Sequence, residues 1–186
     1  MINAIYTFDF GILNLIQAIR NPILDKIMTY ITYLGSSGIF WIALGILLLF
    51  IKKTRIDGIK MLTALLISFL IGVIMIKHLF LRERPFTFDD AIIKMNNMII
   101  PPPSDRYSFP SGHTITSFSA AWIAYGISKK TGITATVLAV LIAFSRMYLY
   151  VHFPTDIIGA VILSVPCAII SEKLINLIIT KTKGSL

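Results

Sequence analysis

Five apolar stretches constrain this chain more than any other feature, at about 35–51, 59–81, 112–128, 133–150 and 155–178. Each approaches or exceeds the ~17 residues an α-helix needs to cross a hydrocarbon core of ~30 Å. Charged residues make up 14% of the sequence, against roughly 25% in soluble domains. The expected fold is all-α: a polytopic helical membrane bundle of about five spans.

The first third differs. Residues 4–19 carry Asp9, Asn14 and Gln17. Asn21-Pro22 is a natural helix start. After it Leu24, Ile27, Met28, Ile31 and Leu34 recur at helical spacing, with Asp25, Lys26 and Thr32 between them. Residues 4–34 read as one or two amphipathic helices lying in the membrane interface. The alternative makes 4–20 a sixth span. On either reading residues 1–186 form one integral-membrane domain, with interfacial helices over 1–34 and the helical bundle over 35–180.

The net charge is +8. In an oily chain this excess belongs to cytoplasmic loops and anionic lipid, not to nucleic acid. The basic segments are Lys52–Lys60, Lys129–Gly132 and the tail with Lys181 and Lys183. Five spans put all three on the cytoplasmic side. The N-terminal segment, loop 82–109 and link 151–154 then share the other side. "MINAIYTFDF" lacks a basic leader and contains Asp9, so no secretory signal is expected and targeting rests on the spans. The single cysteine, Cys167, allows neither an intrachain disulfide nor a thiolate metal cluster.

Three polar clusters interrupt the apolar pattern. The first holds Lys77, Arg82, Glu83, Arg84 and Pro85. The second is Pro110-Ser111-Gly112-His113. The third holds Ser145, Arg146, His152 and Asp156. No span separates the first from the second, and two separate the second from the third. An even number returns the chain to the same face, so all three clusters converge there.

Lys77, Arg84 and Arg146 together suit phosphate: guanidinium forks match its oxygens and an ammonium adds a point charge. Ser111-Gly112 opens an apolar helix whose first N–H groups have no intrahelical acceptor. Gly112 lets a ligand approach the backbone. His152 and Asp156 are four apart and share a face if they open a helix, with Pro154 in its first turn. A carboxylate on one ring nitrogen leaves the other free to attack. His113 suits proton transfer to a leaving oxygen. The chemistry suggested is phosphoryl transfer through phosphohistidine, with cations in place of a metal. Alone, Lys77 or Arg84 would be a snorkelling anchor and His113 a helix cap. His78 has no evident partner. Arg82 and Glu83 are expected to pair with each other or with the loop. Tyr148-Leu149-Tyr150 reads as interface belt. Asp89, Asp90, Asp105 and Glu172 are too scattered for a metal cage.

These motifs resemble the type 2 phosphatidic acid phosphatase family. Lys77, six residues and Arg84-Pro85 match its first motif. Pro110 to His113 match its second. Ser145-Arg146, five residues, His152, three residues and Asp156 match its third. "NPILDKIMTYITYLG" also looks like the N-terminal region of small bacterial members. The resemblance implies His152 as nucleophile, oriented by Asp156, and His113 as acid and base. It implies Lys77, Arg84, Ser111, Gly112, His113 and Arg146 as phosphate holders, in a helical membrane bundle without metal or cofactor. Bacterial relatives act on phosphatidylglycerophosphate, phosphatidate or undecaprenyl pyrophosphate at the outer face of the inner membrane. One related undecaprenyl pyrophosphatase group has Asp where this chain has Gly112, which favours a phospholipid or broad lipid substrate here. A lipid phosphotransferase would use the same histidines. A transporter would need interrupted helices and midplane charges that this sequence lacks.

Overall fold

A computed structural model describes residues 2–88, 91–93 and 97–184, with side chains described over 4–182 apart from those gaps. Asp89 and Asp90, weighed above as carboxylates, lie outside the described residues. Among the described residues the regular structure is entirely helical.

Helices α1 (Ile2–Ala18) and α2 (Pro22–Leu34) form the N-terminal region. Asn21 starts α2 as expected: its side chain accepts from the N–H groups of Ile23 and Leu24 at 3.1 and 3.0 Å, with Pro22 in the first turn. After a short 3₁₀ turn, Ser36–Gly38, the chain enters α3 (Ile39–Phe50). Gly38 sits at φ +67°, where a glycine carries no Cβ penalty. The turn bends the pair 22–34 and 36–50 by 42°.

Helix α4 (Arg55–Ser68) runs through a π-helical segment, Phe69–Ile76, into α5 (Lys77–Phe80). Loop 81–111 follows, then α6 (Gly112–Ile127), α7 (Lys129–Tyr148) and α8 (Pro154–Gly184). Helix α6 is the central post, packed by α4, α7 and α8. Its inward residues are small: Ser117, Ser119, Ala120, Ala121 and Ala124 are all buried. Small side chains let helices approach closely where lipid supplies no hydrophobic drive. Their hydroxyls are satisfied across helices. Trp41 Nε1 donates to Ser117 Oγ at 2.9 Å, and Ser68 and Ser119 pair at 2.7 Å.

The protein is a helical membrane protein, but its helices do not all match the five expected spans. Arg55–Thr87, Lys129–Tyr148 and Pro154–Thr182 are long and apolar enough to cross. A fourth crossing exists if the bent pair 22–50 is one broken span. Helix α6 has 16 residues and α3 has 12, short of a straight span. The bent pair is a further candidate crossing; α1, which the six-span alternative makes a span, is 17 residues long.

One expectation is corrected. Tyr148, Leu149 and Tyr150 are no interface belt; all three are at most 1% exposed. Tyr148 forms the seat of the α1–α2 turn, while the Tyr150 hydroxyl accepts from the Ile92 N–H at 3.3 Å. Tyr148 Oη donates to Asp25 Oδ1 at 2.8 Å, and Gln17 Nε2 donates to the Tyr148 carbonyl at 3.0 Å. Tyr150 has φ +61°, a conformation non-glycine residues adopt only when their surroundings over-determine it. Here burial does so.

Candidate active site

The three clusters do meet. Lys77, Arg84, Gly112, His113, Arg146 and His152 line one cavity of about 720 Å³. Ser111 and Asp156 stand behind this lining, both fully buried.

Each side chain arrives for a local reason. Lys77 follows the π segment, whose wider turn resets its azimuth relative to an unbroken α-helix. Leu81, at φ +49°, ends α5 and turns the chain so that Arg84 points back inward. Arg84 is 2% exposed. Its Nη1 donates to the Val151 carbonyl at 2.8 Å and lies 3.4 Å from His152 Nε2. Arg146 comes from the last turn of α7 and donates from Nη1 to Thr32 Oγ1 at 2.5 Å. Its Nε is buried without a partner among the described residues, leaving a donor for an incoming anion.

His152 lies between α7 and α8. Its Nδ1 is 3.5 Å from Asp156 Oδ2 but makes no hydrogen bond at that distance. Asp156 Oδ2 accepts from the Phe153 N–H at 2.8 Å. Burial pushes the His152 imidazole well below its ordinary pKa, and Arg84, Arg146 and Lys77 reinforce the shift. That shift favours the neutral ring, the form with a nucleophilic nitrogen.

The second cluster opens α6, with Ser111 at the N-cap. Ser111 Oγ accepts from Thr114 Oγ1 at 3.0 Å and does not cap the backbone. The helix's first N–H groups thus stay unclaimed by that side chain. A Cβ on Gly112 would come within 3.2 Å of Val73 Cγ2, so a side chain there requires Val73 to give way. His113 Nε2 lies 3.5 Å from Ser36 Oγ. Gly35 makes room for that ring: a Cβ on it would sit 2.9 Å from His113 Cδ2.

Sequence reasoning left several neighbours unassigned. Asp105, taken as a scattered carboxylate, bridges Lys77 Nζ and Arg84 Nη2. Burial alone would raise its pKa, but Arg84 and Lys77 outweigh that and hold it below the ordinary carboxylate range. Arg82 binds Asp9 and Asp156 rather than Glu83. Glu83 pairs with loop residue Arg106 at 2.7 Å. His78 reaches the Ile74 carbonyl at 2.6 Å and stacks edgewise on Tyr107. Among the described residues no three His, Cys, Asp or Glu side chains group to hold a metal.

The cavity's other end is apolar, lined by Ile42, Leu62, Leu65, Leu66, Phe69 and Val73. Cations and imidazoles at one end and aliphatic walls at the other suit an amphiphile with an anionic head. The family model of the PAP2 superfamily matches residues 28–178. The chain belongs to the PAP2 superfamily. An undecaprenyl-diphosphatase of Sulfolobus acidocaldarius is 31% identical over 82% of this chain and 71% of its own length. Phosphatidylglycerophosphatase B of Bacillus subtilis is 33% identical over 84% and 78%. The crystal structure of the first transmembrane PAP2 type phosphatidylglycerolphosphate phosphatase from Bacillus subtilis superposes with TM-score 0.73 at 30% identity. It covers 92% of this chain and 86% of that one. This PAP2 protein is a membrane phosphatase of the lipid phosphate phosphatase kind.

Proposed function

We propose that the protein hydrolyses lipid phosphate monoesters or diphosphates through a phosphohistidine on His152, without a metal, at the extracytoplasmic face of the cell membrane. One observation carries this reading: a single cavity joins His152 and the three cations to an apolar wall that includes Ile42, Leu62, Leu66 and Phe69. Lys77, Arg84 and Arg146 hold the phosphoryl oxygens, and the first N–H groups of α6 complete the cradle. Asp105 bridges two of these cations, so the phosphate displaces it.

His152 Nε2 attacks phosphorus while the bond to the leaving oxygen breaks. His113, charged once the phosphate dianion offsets the cations around it, gives that oxygen its proton, then takes one from the water that attacks the phosphohistidine. Inorganic phosphate leaves and both imidazoles return to their starting states. The aliphatic wall recognises length and apolarity rather than headgroup chemistry. The names of the relatives point to phosphatidylglycerophosphate and undecaprenyl diphosphate as the first substrates to try, with phosphatidate beside them.

Connectivity supports the orientation. Helices α6 and α8 start at the site, and α5 and α7 end there. The basic links at 52–55 and 129–132 therefore fall at the far ends, where a cytoplasmic surface retains positive charge. Purified protein given the three lipids in EDTA should release phosphate and be inhibited by vanadate. A strict requirement for a divalent metal, or transfer to a lipid acceptor with no free phosphate, defeats the mechanism. Arg106→Cys in a Cys167→Ser background should label with an impermeant thiol reagent in intact cells. Labelling only after lysis reverses the orientation.

A further inference from the structure

Asp156 is held from behind. Its Oδ1 accepts from Arg82 Nη1 at 2.6 Å. Arg82 Nη2 in turn reaches Asp9 Oδ2 at 2.5 Å. Asp9 lies midway along α1 and is fully buried. It also accepts from Thr155, the backbone N–H at 3.0 Å and Oγ1 at 2.6 Å. The Arg82 guanidinium lies 4.3 Å from the Phe153 ring centroid and 5.1 Å from that of Tyr6. One guanidinium thus bridges two buried carboxylates, on α1 and α8, between two aromatic rings.

Resting on the phosphohistidine reading above, we propose that Arg82 and Asp9 are positioning residues that keep Asp156 ionised and aimed at His152 Nδ1. A buried carboxylate without a cation takes up a proton instead of bearing the desolvation cost. A protonated Asp156 could not stabilise the positive charge that grows on His152 as Nε2 attacks. Arg82 supplies the cation, keeps its own proton, and has a fork wide enough for two acceptors. Alone, however, it would cancel the charge on Asp156. Asp9 restores the balance: two carboxylates and one guanidinium sum to −1, the charge His152 needs opposite it. The N-terminal helix, which carries none of the three motifs, becomes part of the catalytic apparatus.

The test measures turnover and the His152 ring separately. Arg82→Met and Asp9→Asn should each lower kcat about 10- to 100-fold, the usual loss for groups that orient a ligating or reacting side chain. KM should stay within about threefold, since Lys77, Arg84 and Arg146 are untouched. Arg82→Lys should recover only part of kcat, since an ammonium does not span both carboxylates. In an Asp156→Asn background the same changes should cost less than about threefold more, because the group they hold is gone. Imidazole ¹⁵N spectra of histidine-labelled protein in detergent give a readout independent of turnover. The wild-type His152 signal should report one tautomer, with its proton on Nδ1, and Arg82→Met and Asp9→Asn should shift it toward a mixture. Asp9→Asn is nearly isosteric and serves alone if Arg82→Met fails to fold. Equal losses in both Asp156 backgrounds, or unchanged kcat with an unchanged imidazole signal, overturn the proposal. If wild-type protein releases no phosphate from any lipid, the functional reading falls, and the imidazole shifts alone decide whether Asp9 and Arg82 hold His152.

Discussion

Residues 77–156 and the first fifty residues meet at one cavity and contribute to it differently. The first region supplies every cation and imidazole at the polar end: Lys77, Arg84, His113, Arg146 and His152. The second supplies no cation to that lining. It offers acceptors and small groups behind or beside the motif residues: Asp9 to Arg82, Thr32 to Arg146, Ser36 and Gly35 to His113. A group that touches a phosphoryl oxygen must have a particular charge and reach. A group that holds it needs only to offer a complementary atom at the right place. The motif half is therefore chemically constrained, while the supporting half is constrained by geometry.

The comparison breaks first at the histidines. His152→Ala should abolish phosphoenzyme formation and turnover with every substrate, since it removes the attacking atom; rapid-quench kinetics reads both. His113→Ala should depend on the leaving group. A lipid alkoxide needs a proton in the transition state, so the first step stalls. A pyrophosphate or nitrophenyl phosphate departs with little help, so this variant should show a burst and accumulate acid-labile, base-stable phosphohistidine. Equal damage across leaving groups, with no burst, would reduce His113 to a phosphate holder.

Asp156→Asn comes next. The amide can still occupy the space beside His152 but lacks the charge, and Arg82 loses one of its two carboxylates. Loss of the equivalent charge in serine-protease triads reaches about 10⁴-fold in kcat, and one to three decades are expected here, where His152 Nδ1 lies 3.5 Å from the carboxylate without a hydrogen bond. KM should change little. Near wild-type kcat would make Asp156 a helix-start residue only.

How much of this was legible follows from the same contrast. The three motifs could be assembled from sequence because the two apolar segments between the second and third run out and back: α6 starts at the site and α7 ends there. Helix α2 could be read from Asn21-Pro22 and its apolar spacing, a local signal. The Tyr148–Tyr150 stretch misled because aromatic residues near a helix end look alike whether they face lipid headgroups or another helix. Only the docking of α1 and α2 distinguishes the two. Asp9 sat in plain view as a charge inside an apolar helix, a sign that it faces protein, but its partner is 73 residues away. No spacing rule connects them. Asp105 was lost for the same reason.

A smaller effect should separate holding from contacting within the supporting half. Thr32→Val keeps the shape of a residue 1% exposed and removes the acceptor for Arg146 Nη1. Hydrogen bonds to charged groups contribute about 1.5–3 kcal/mol, and without this one Arg146 is less firmly aimed; substrate oxygens take up the freed donor and offset part of that loss, so KM should rise about five- to tenfold with kcat nearly unchanged. An equal fall in kcat would mean that Thr32 acts on the chemistry and not on the grip.

The smallest effect runs the other way. Asp105 bridges Lys77 and Arg84, so a phosphate held by those two cations would have to displace it. Its side chain is 44% exposed, so the competing ion pair is screened and contributes about 1 kcal/mol at most. Asp105→Asn should therefore lower the inhibition constant of inorganic phosphate about two- to fivefold and lower KM alongside it, leaving kcat in place. The pH dependence follows from the sign of its shift. The carboxyl is held below its ordinary value of 3.8, so the contact is fully formed above that value and is lost only as pH falls through the lowered one. The ratio of phosphate inhibition constants between variant and wild type should stay flat from about pH 8 to pH 5, where the carboxylate remains ionised. A higher inhibition constant in Asp105→Asn would mean that Asp105 steadies the two cations for phosphate instead of competing with it. A ratio that collapses already near pH 6 would mean that a different group, titrating in that range, controls access to Lys77 and Arg84.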